Sequence, residues 1–192
     1  MFEEFLRSFI TLFIIMDPFV SVVFFLGYSK SLNQKQKNNA VLIAISVAAI
    51  LLFIFLVSGL FLLNTLGISF NGFKVAGGII LLIMGITTVL AIDVGSKTEN
   101  VHSGAILIGT PLLSGPGALT TIIILSKDYG YFIPALAAIA VLIVSYLALK
   151  FAVHLQKLIG TKIIEILSKV LGLLLAALAV DFIHSGIVGF MG

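Results

Sequence analysis

The chain has 192 residues, of which 60% are hydrophobic and only 10% charged, and its mean hydropathy is +1.27. This composition excludes a water-soluble domain with a charged surface and indicates a membrane protein. The net charge of +3 is spread over short polar stretches, which excludes a nucleic-acid-binding protein. Since the chain has no cysteine, disulfides, thiol catalysis and cysteine-based metal sites are excluded as well.

Hydrophobic stretches of about 20 residues, the length that crosses a bilayer, follow one another along the chain. They predict six spans, at 5–28, 40–63, 72–92, 104–126, 131–153 and 163–188. The alternating pattern of an outer-membrane barrel is missing, so the predicted fold class is an all-α polytopic membrane protein. Glu3 and Glu4 stand where a signal peptide carries basic residues, and we therefore expect the first span to remain in the mature protein.

Lysine and arginine are distributed unevenly between the predicted loops. With an outside amino terminus, eight of these cations lie on the cytoplasmic side and three on the other side. The positive-inside rule therefore predicts that both termini are outside. The three predicted outer cations are Arg7, Lys74 and Lys127.

The six spans divide into two sets of three with matching signals. An Asp17-Pro18 pair in span one and a Gly115-Pro116 pair in span four are 98 residues apart, and each is close to the middle of its span. Spans three and six both begin with a lysine followed three residues later by glycine. A three-span repeat used twice must be inserted in opposite orientations, as in many secondary transporters. The sequence thus predicts one membrane domain, 1–192, built from inverted repeats at about 1–95 and 101–192.

The two central prolines predict that spans one and four are broken helices. Proline inside a helix costs about 3 kcal/mol or more, but at the first helical position it costs almost nothing. Asp17 is then the N-cap of a second half-helix that starts at Pro18, and Pro116 starts the corresponding half-helix after Gly115. Free N–H and C=O groups of the half-helices meet at mid-membrane, where they suit a zwitterion. Alternatively, the prolines only kink packed helices and Asp17 is only a cap.

These breaks define the candidate substrate site. Gly117 and Ala118 are predicted to hold a substrate carboxylate by backbone N–H groups, and the missing Gly117 side chain would let it approach. Asp17 is the predicted site for a proton, sodium ion or ammonium group. Alternatively, the serine and threonine hydroxyls bond their own helices. The full predicted set is Asp17, Pro18, Ser21, Ser114, Gly115, Pro116, Gly117, Ala118, Thr120 and Thr121.

Residues 111–121, with the sequence PLLSGPGALTT, resemble the MarC/SnatA family of prokaryotic membrane proteins. Asp17-Pro18 and the segments 73–82 and 172–177 are also similar to signatures of that family, so the resemblance covers the whole chain. It implies a six-helix inner-membrane protein and, for some members, a transporter of small neutral amino acids with substrate near the broken helices. Val20 and Val23 occupy places where family members commonly have glycine and proline, which gives a straighter second half-helix with bulkier walls.

The functional prediction is an ion-coupled secondary transporter of glycine, alanine or serine that works by alternating access. Its expected partners are the zwitterionic substrate, a coupling proton or sodium ion, and the bilayer, with no cofactor and no metal. An intramembrane enzyme is the first alternative, but the sequence lacks G-x-S-x-G, G-x-G-D and paired carboxylates at one depth. A passive channel is the second, and it would need a polar stripe that the almost wholly apolar spans two and five do not offer.

Overall fold

The computed structural model describes residues 1–29, 32–90 and 113–191. These residues contain helices and no strand, which confirms the predicted all-α class. The helices are α1 (Phe2–Met16), α2 (Pro18–Tyr28), α3 (Gln34–Thr65), α4 (Phe70–Val89), α5 (Pro116–Tyr129), α6 (Phe132–Lys150), α7 (Ala152–Ile159) and α8 (Thr161–Met191).

Five helical segments within the described residues are long and apolar enough to cross a membrane. They are Phe2–Gly27, Gln34–Thr65, Phe70–Val89, Phe132–Lys150 and Thr161–Met191. They correspond to five of the six predicted spans. The remaining span was predicted at 104–126, and its first residues, 104–112, lie outside the described residues. Its second part forms α5, which continues to Tyr129.

Two helix boundaries differ from the predicted ones for local reasons. Helix α3 begins before residue 40 because Asn33 and Gln36 form a capping box, with both backbone N–H to side-chain oxygen distances at 2.9 Å. The predicted span 131–153 ends earlier, at Lys150, and the short helix α7 follows it. Helix α7 ends at Gly160, whose φ of 79° favours glycine. A separate α7 was not predicted from the sequence.

Helices α4 and α8 form the most extensive contact between helices in the described part of the chain. A Cβ atom built on Gly78 would lie 2.8 Å from the carbonyl oxygen of Ala179, and one built on Gly85 would lie 2.8 Å from that of Gly172. A residue later in α4 therefore lies beside a residue earlier in α8, so the two helices are antiparallel. Only glycine allows their backbones to come this close.

Several of the other helix contacts come in matched pairs. Helices α1 and α2 pack on α6, and α3 packs on α5; likewise α4 packs on α5, and α1 and α2 pack on α8. Span one thus packs on span five as span four packs on span two. Likewise, span three packs on span four as span six packs on span one. Helix α5 also contacts α1 and α6, and its residues 117–126 are almost all buried, so it is the central helix of the bundle.

Met1 and Met191, the first and last described residues, lie at the same end of the bundle. Asn71 at the start of α4 donates a side-chain hydrogen bond to the Gly189 carbonyl near the end of α8. Lys127 at the end of α5 lies over the Phe70 ring, with Nζ 3.8 Å from its centroid. We call this end the terminal face, defined by Met1, Phe70, Lys127, Phe132 and Met191, and the other end the opposite face.

Candidate functional site

The break between α1 and α2 is formed by Asp17. Helix α1 ends with a hydrogen bond from the Asp17 N–H to the Phe13 carbonyl, at 3.1 Å. Asp17 then takes φ 33° and ψ 79°, which makes it the one non-glycine residue with positive φ in the described ranges. Its Oδ1 accepts hydrogen bonds from the N–H groups of Phe19 and Val20, both at 3.1 Å, and Pro18 is the first residue of α2. The predicted N-cap and first-position proline are confirmed.

The second carboxylate oxygen of Asp17 is available. Both hydrogen bonds to the side chain fall on Oδ1, and no donor among the residues that the structure describes reaches Oδ2. No described cationic side chain pairs with this carboxylate either, although only 8% of the residue is exposed. A buried carboxylate with an unused oxygen is expected to bind a proton or a cationic group.

The break before α5 offers donors instead of an acceptor. Gly115 is extended, with φ −64° and ψ 174°, and Pro116 begins the helix as predicted. The N–H groups of Gly117 and Ala118 follow, and they find no acceptor among the described residues, because Gly115 has no side chain to cap them. Gly117 and Ala118 are buried, whereas Pro116 is exposed. The half-helix predicted before Gly115 lies mostly outside the described residues.

The two breaks lie side by side. A Cβ atom built on Gly117 would be 3.5 Å from Cγ2 of Ile15, which is two residues before Asp17. The start of α5 therefore adjoins the end of α1. The two breaks are therefore neighbours in the bundle, since Ile15 is two residues before Asp17 and Gly117 is two residues after Gly115.

Gly117 has a packing role that the sequence did not predict. A Cβ at this position would clash with Cδ2 of Leu81, a fully buried side chain of α4. The space left by the missing side chain is filled by Leu81. The binding of a carboxylate by the N–H groups of Gly117 and Ala118 stays a prediction, and the space beside Gly117 contributes to helix packing as well. Thr120 is packed in the same way, against Gly77 of α4.

The hydroxyl groups of the described residues fall into those that bond their own helix and those that do not. Several donate to carbonyls of their own helix, at 2.7–3.2 Å: Ser58, Thr65, Thr87, Thr88, Ser126 and Ser185. Of the candidate site residues, Ser21 and Thr121 are fully buried and have no hydrogen-bond partner in the part of the chain that the structure describes. The alternative prediction, that the hydroxyls bond their own helices, therefore does not hold for Ser21 and Thr121. Ser114 is also buried, with 2% of its surface exposed.

Sequence reasoning missed three further buried hydroxyls that have no hydrogen-bond partner among the described residues. They belong to Ser8, Ser145 and Ser168, on α1, α6 and α8. Ser145 lies in the span that was considered almost wholly apolar, on the buried face that also carries Ala138, Val141 and Leu149. The sequence signal for Ser145 is that it is a single serine on the buried face of an otherwise apolar helix. Within the described ranges, no three His, Asp or Glu side chains come together as a metal site.

Comparisons with known proteins agree over nearly the whole chain. Residues 2–191 match the family described as MarC family integral membrane protein. A UPF0056 membrane protein of Methanocaldococcus jannaschii is 31% identical over 97% of both chains. One from Archaeoglobus fulgidus is 30% identical over 95% of this chain and 92% of its own length. The UPF0056 membrane protein YhcE of Escherichia coli is 28% identical over 98% of this chain and 94% of its own. No solved structure matches.

Proposed function

The chain belongs to the MarC family of integral membrane proteins, and from this premise we propose that it is a secondary transporter of small neutral amino acids such as glycine, alanine and serine. The observation that carries the proposal is the difference between the two breaks. One presents the unused carboxylate oxygen of Asp17, and the other presents the uncapped N–H groups of Gly117 and Ala118. An acceptor beside two donors complements the ammonium and carboxylate groups of a zwitterion.

The substrate carboxylate is bound at the start of α5. Two N–H groups and the positive end of a 14-residue helix point toward this position. The buried Thr121 hydroxyl, which has no partner in the described structure, is available beside them on the same helix. Pro116 contributes no donor, but its exposure leaves the first turn of α5 accessible to a small solute.

Asp17 binds the ammonium group or the coupling proton at the other break. A carboxylate that is buried without a counter-charge is unfavourable by several kcal/mol, and either a proton or an ammonium group relieves this penalty. Since both occupy the same oxygen, Asp17 also couples their binding. A sodium ion at this oxygen is the second form of coupling.

The substrate is neutral overall because the described part of the site contains only one charged side chain. A substrate with a net charge would bring an additional charge into the site without a partner, which is strongly unfavourable in a buried position. The zwitterion, in contrast, pairs its ammonium group with Asp17 and its carboxylate with the dipole of α5.

Alternating access follows from two inverted repeats of three spans each. The matched helix contacts and the antiparallel packing of α4 on α8 support this arrangement. In such transporters the two repeats move against each other around a fixed site at the midplane. The breaks that we assign to the site lie at the interface of the repeats, since α1 belongs to one and α5 to the other.

We further propose that the protein lies in the cytoplasmic membrane with its terminal face outside. Lys74 and Lys127 meet at Phe70 on the terminal face, whereas Lys35, Lys150 and Lys162 lie at or near helix ends on the opposite face. Single cysteines can test this in a chain that has none. In intact cells, Met191→Cys should react with an impermeant thiol reagent and Asn38→Cys should not. The reverse labelling pattern would overturn the orientation.

The direct test of transport is counterflow into liposomes that contain the purified protein. A panel of radiolabelled amino acids, with imposed proton or sodium gradients, should show saturable uptake of glycine, alanine or serine. Uptake without saturation would indicate a channel instead. No uptake or binding of any amino acid, together with chemical conversion of a lipid or peptide, would indicate an enzyme.

A further inference from the structure

We propose that Ser145 of α6 is a third component of the ammonium site, beside Asp17 and Ser21. This inference rests on the proposed amino acid transport and identifies the ligand group as a primary ammonium. Span five, which contains Ser145, was not assigned any part in the site from its sequence.

The depth of Ser145 in the bundle follows from the packing of α6 on α1. The two helices begin side by side, where Phe2 and Phe132 line the same apolar crevice on the surface. They are therefore parallel. Ile15 and Ser145 each follow these phenylalanines by 13 residues, which corresponds to about 20 Å along either helix. Ser145 is thus within about one helical turn of the depth of Ile15, the residue that adjoins Gly117 at the junction of the two breaks.

Helix α6 also contacts every described helix that forms the site. It packs on α1 and α2 on both sides of the first break, and on α5 after the second. The Ser145 side chain lies on its buried face and has no exposed surface. The hydroxyl forms no hydrogen bond with any described residue, although Ser58 and Ser185 bond carbonyls of their own helices. A buried hydroxyl in this state needs a partner that the described protein groups do not supply.

Three acceptors without partners among the described residues belong to α1, α2 and α6, the helices that pack together at the first break. They are Oδ2 of Asp17 and the hydroxyl oxygens of Ser21 and Ser145. A primary ammonium group has three N–H donors and no acceptor. The number and type of groups match, and the carboxylate supplies the counter-charge. Methylation of the nitrogen removes a donor, so the site should prefer glycine to N-methylglycine.

The experiment is equilibrium binding of glycine and N-methylglycine to purified Ser145→Ala. Loss of one hydrogen bond to a charged group should raise the Kd of glycine about tenfold. The Kd of N-methylglycine should rise less, so the variant should discriminate less between the two ligands than the unmodified protein. Ser168→Ala is the matched control, because it removes another buried hydroxyl without a partner, on α8. This control should bind both ligands normally.

The outcomes separate this inference from the proposed function. An unchanged glycine Kd in Ser145→Ala, with normal binding by the unmodified protein, would overturn the role of Ser145 and leave the transport proposal standing. Absence of amino acid binding by the unmodified protein would overturn both. The thermal unfolding temperature of Ser145→Ala should be no lower than that of the unmodified protein, because the hydroxyl bonds none of the described protein groups. Ser145→Thr retains the hydroxyl and should restore the preference for glycine.

Discussion

The crossing of α4 and α8 and the junction of the two breaks both depend on short distances between helices, but they differ in what fills the space. At the crossing, glycines bring backbone against backbone, and the positions of Gly78 and Gly85 leave no room for a Cβ atom. At the junction, buried N–H groups, hydroxyls and a carboxylate oxygen have no partners among the residues that the structure describes. Complete packing suits a rigid support, whereas unmatched polar groups suit a place where a ligand enters and leaves.

The largest effect on stability is expected at the crossing, with Gly85→Val. A Cβ on Gly85 would lie 2.8 Å from both the Ala176 nitrogen and the Gly172 carbonyl oxygen, and these backbone atoms cannot rotate away. The destabilisation should reach or exceed the upper end of the roughly 1–3 kcal/mol that is typical of overpacking. Thermal unfolding in detergent measures it. Gly27→Ala is the control, because a Cβ there meets nothing within 4 Å and should be tolerated. Equal unfolding temperatures for both variants would contradict the distinction.

Asp17→Asn should have the opposite profile, with a large effect on binding and a small one on stability. Asparagine tolerates positive φ and caps the helix, but it removes the negative charge. We expect the substrate Kd to rise between about tenfold and a hundredfold, and the pH dependence of counterflow to disappear. Asp181→Asn, at an exposed carboxylate of α8, should change neither. Unchanged transport at every pH in Asp17→Asn would reduce Asp17 to a cap.

Gly117→Ala tests whether the start of α5 belongs to the packed or to the ligand-binding region. Its Cβ would clash with Leu81, so we expect a loss of about 1–3 kcal/mol in unfolding free energy. Combination with Leu81→Ala should recover part of that loss, since the smaller side chain makes room. Strict additivity of the two substitutions in thermal unfolding would show that they do not share this contact.

The smallest effects are expected from two serine substitutions. Ser126→Ala removes a buried hydrogen bond to the Ile123 carbonyl, at 2.8 Å, and should lower stability by about 0.5–1.5 kcal/mol with little effect on binding. Ser21→Ala removes a hydroxyl that has no protein partner, so stability should not fall while the substrate Kd rises. A loss of stability in Ser21→Ala equal to that in Ser126→Ala would place Ser21 in the packed region.

The sequence predicted the features that depend on local backbone chemistry. The cap at Asp17 and the helix starts at Pro18 and Pro116 follow from the missing N–H of proline and the preference of aspartate for helix starts. Helix existence followed from hydropathy. The contact of Leu81 with Gly117 did not, because it joins residues from distant helices whose relative position has no local signal.

The polar groups of the site were predicted only in part, for a similar reason. Asp17 is conspicuous because a carboxylate in an apolar span is unfavourable, whereas a single serine in a helix usually bonds its own backbone. Whether it does so depends on neighbours that only the folded structure provides. Ser126 and Ser145 illustrate this, because one bonds its helix and the other has no partner.

The left-handed conformation of Asp17 also has a consequence for how this chain can change over generations. Only glycine, asparagine and aspartate combine easy access to positive φ with good capping of a following helix. Aspartate and asparagine codons differ by one nucleotide. A single point mutation can therefore replace the carboxylate by a neutral amide on the same scaffold, so a lineage can lose or regain this buried charge without passing through a sequence that does not fold.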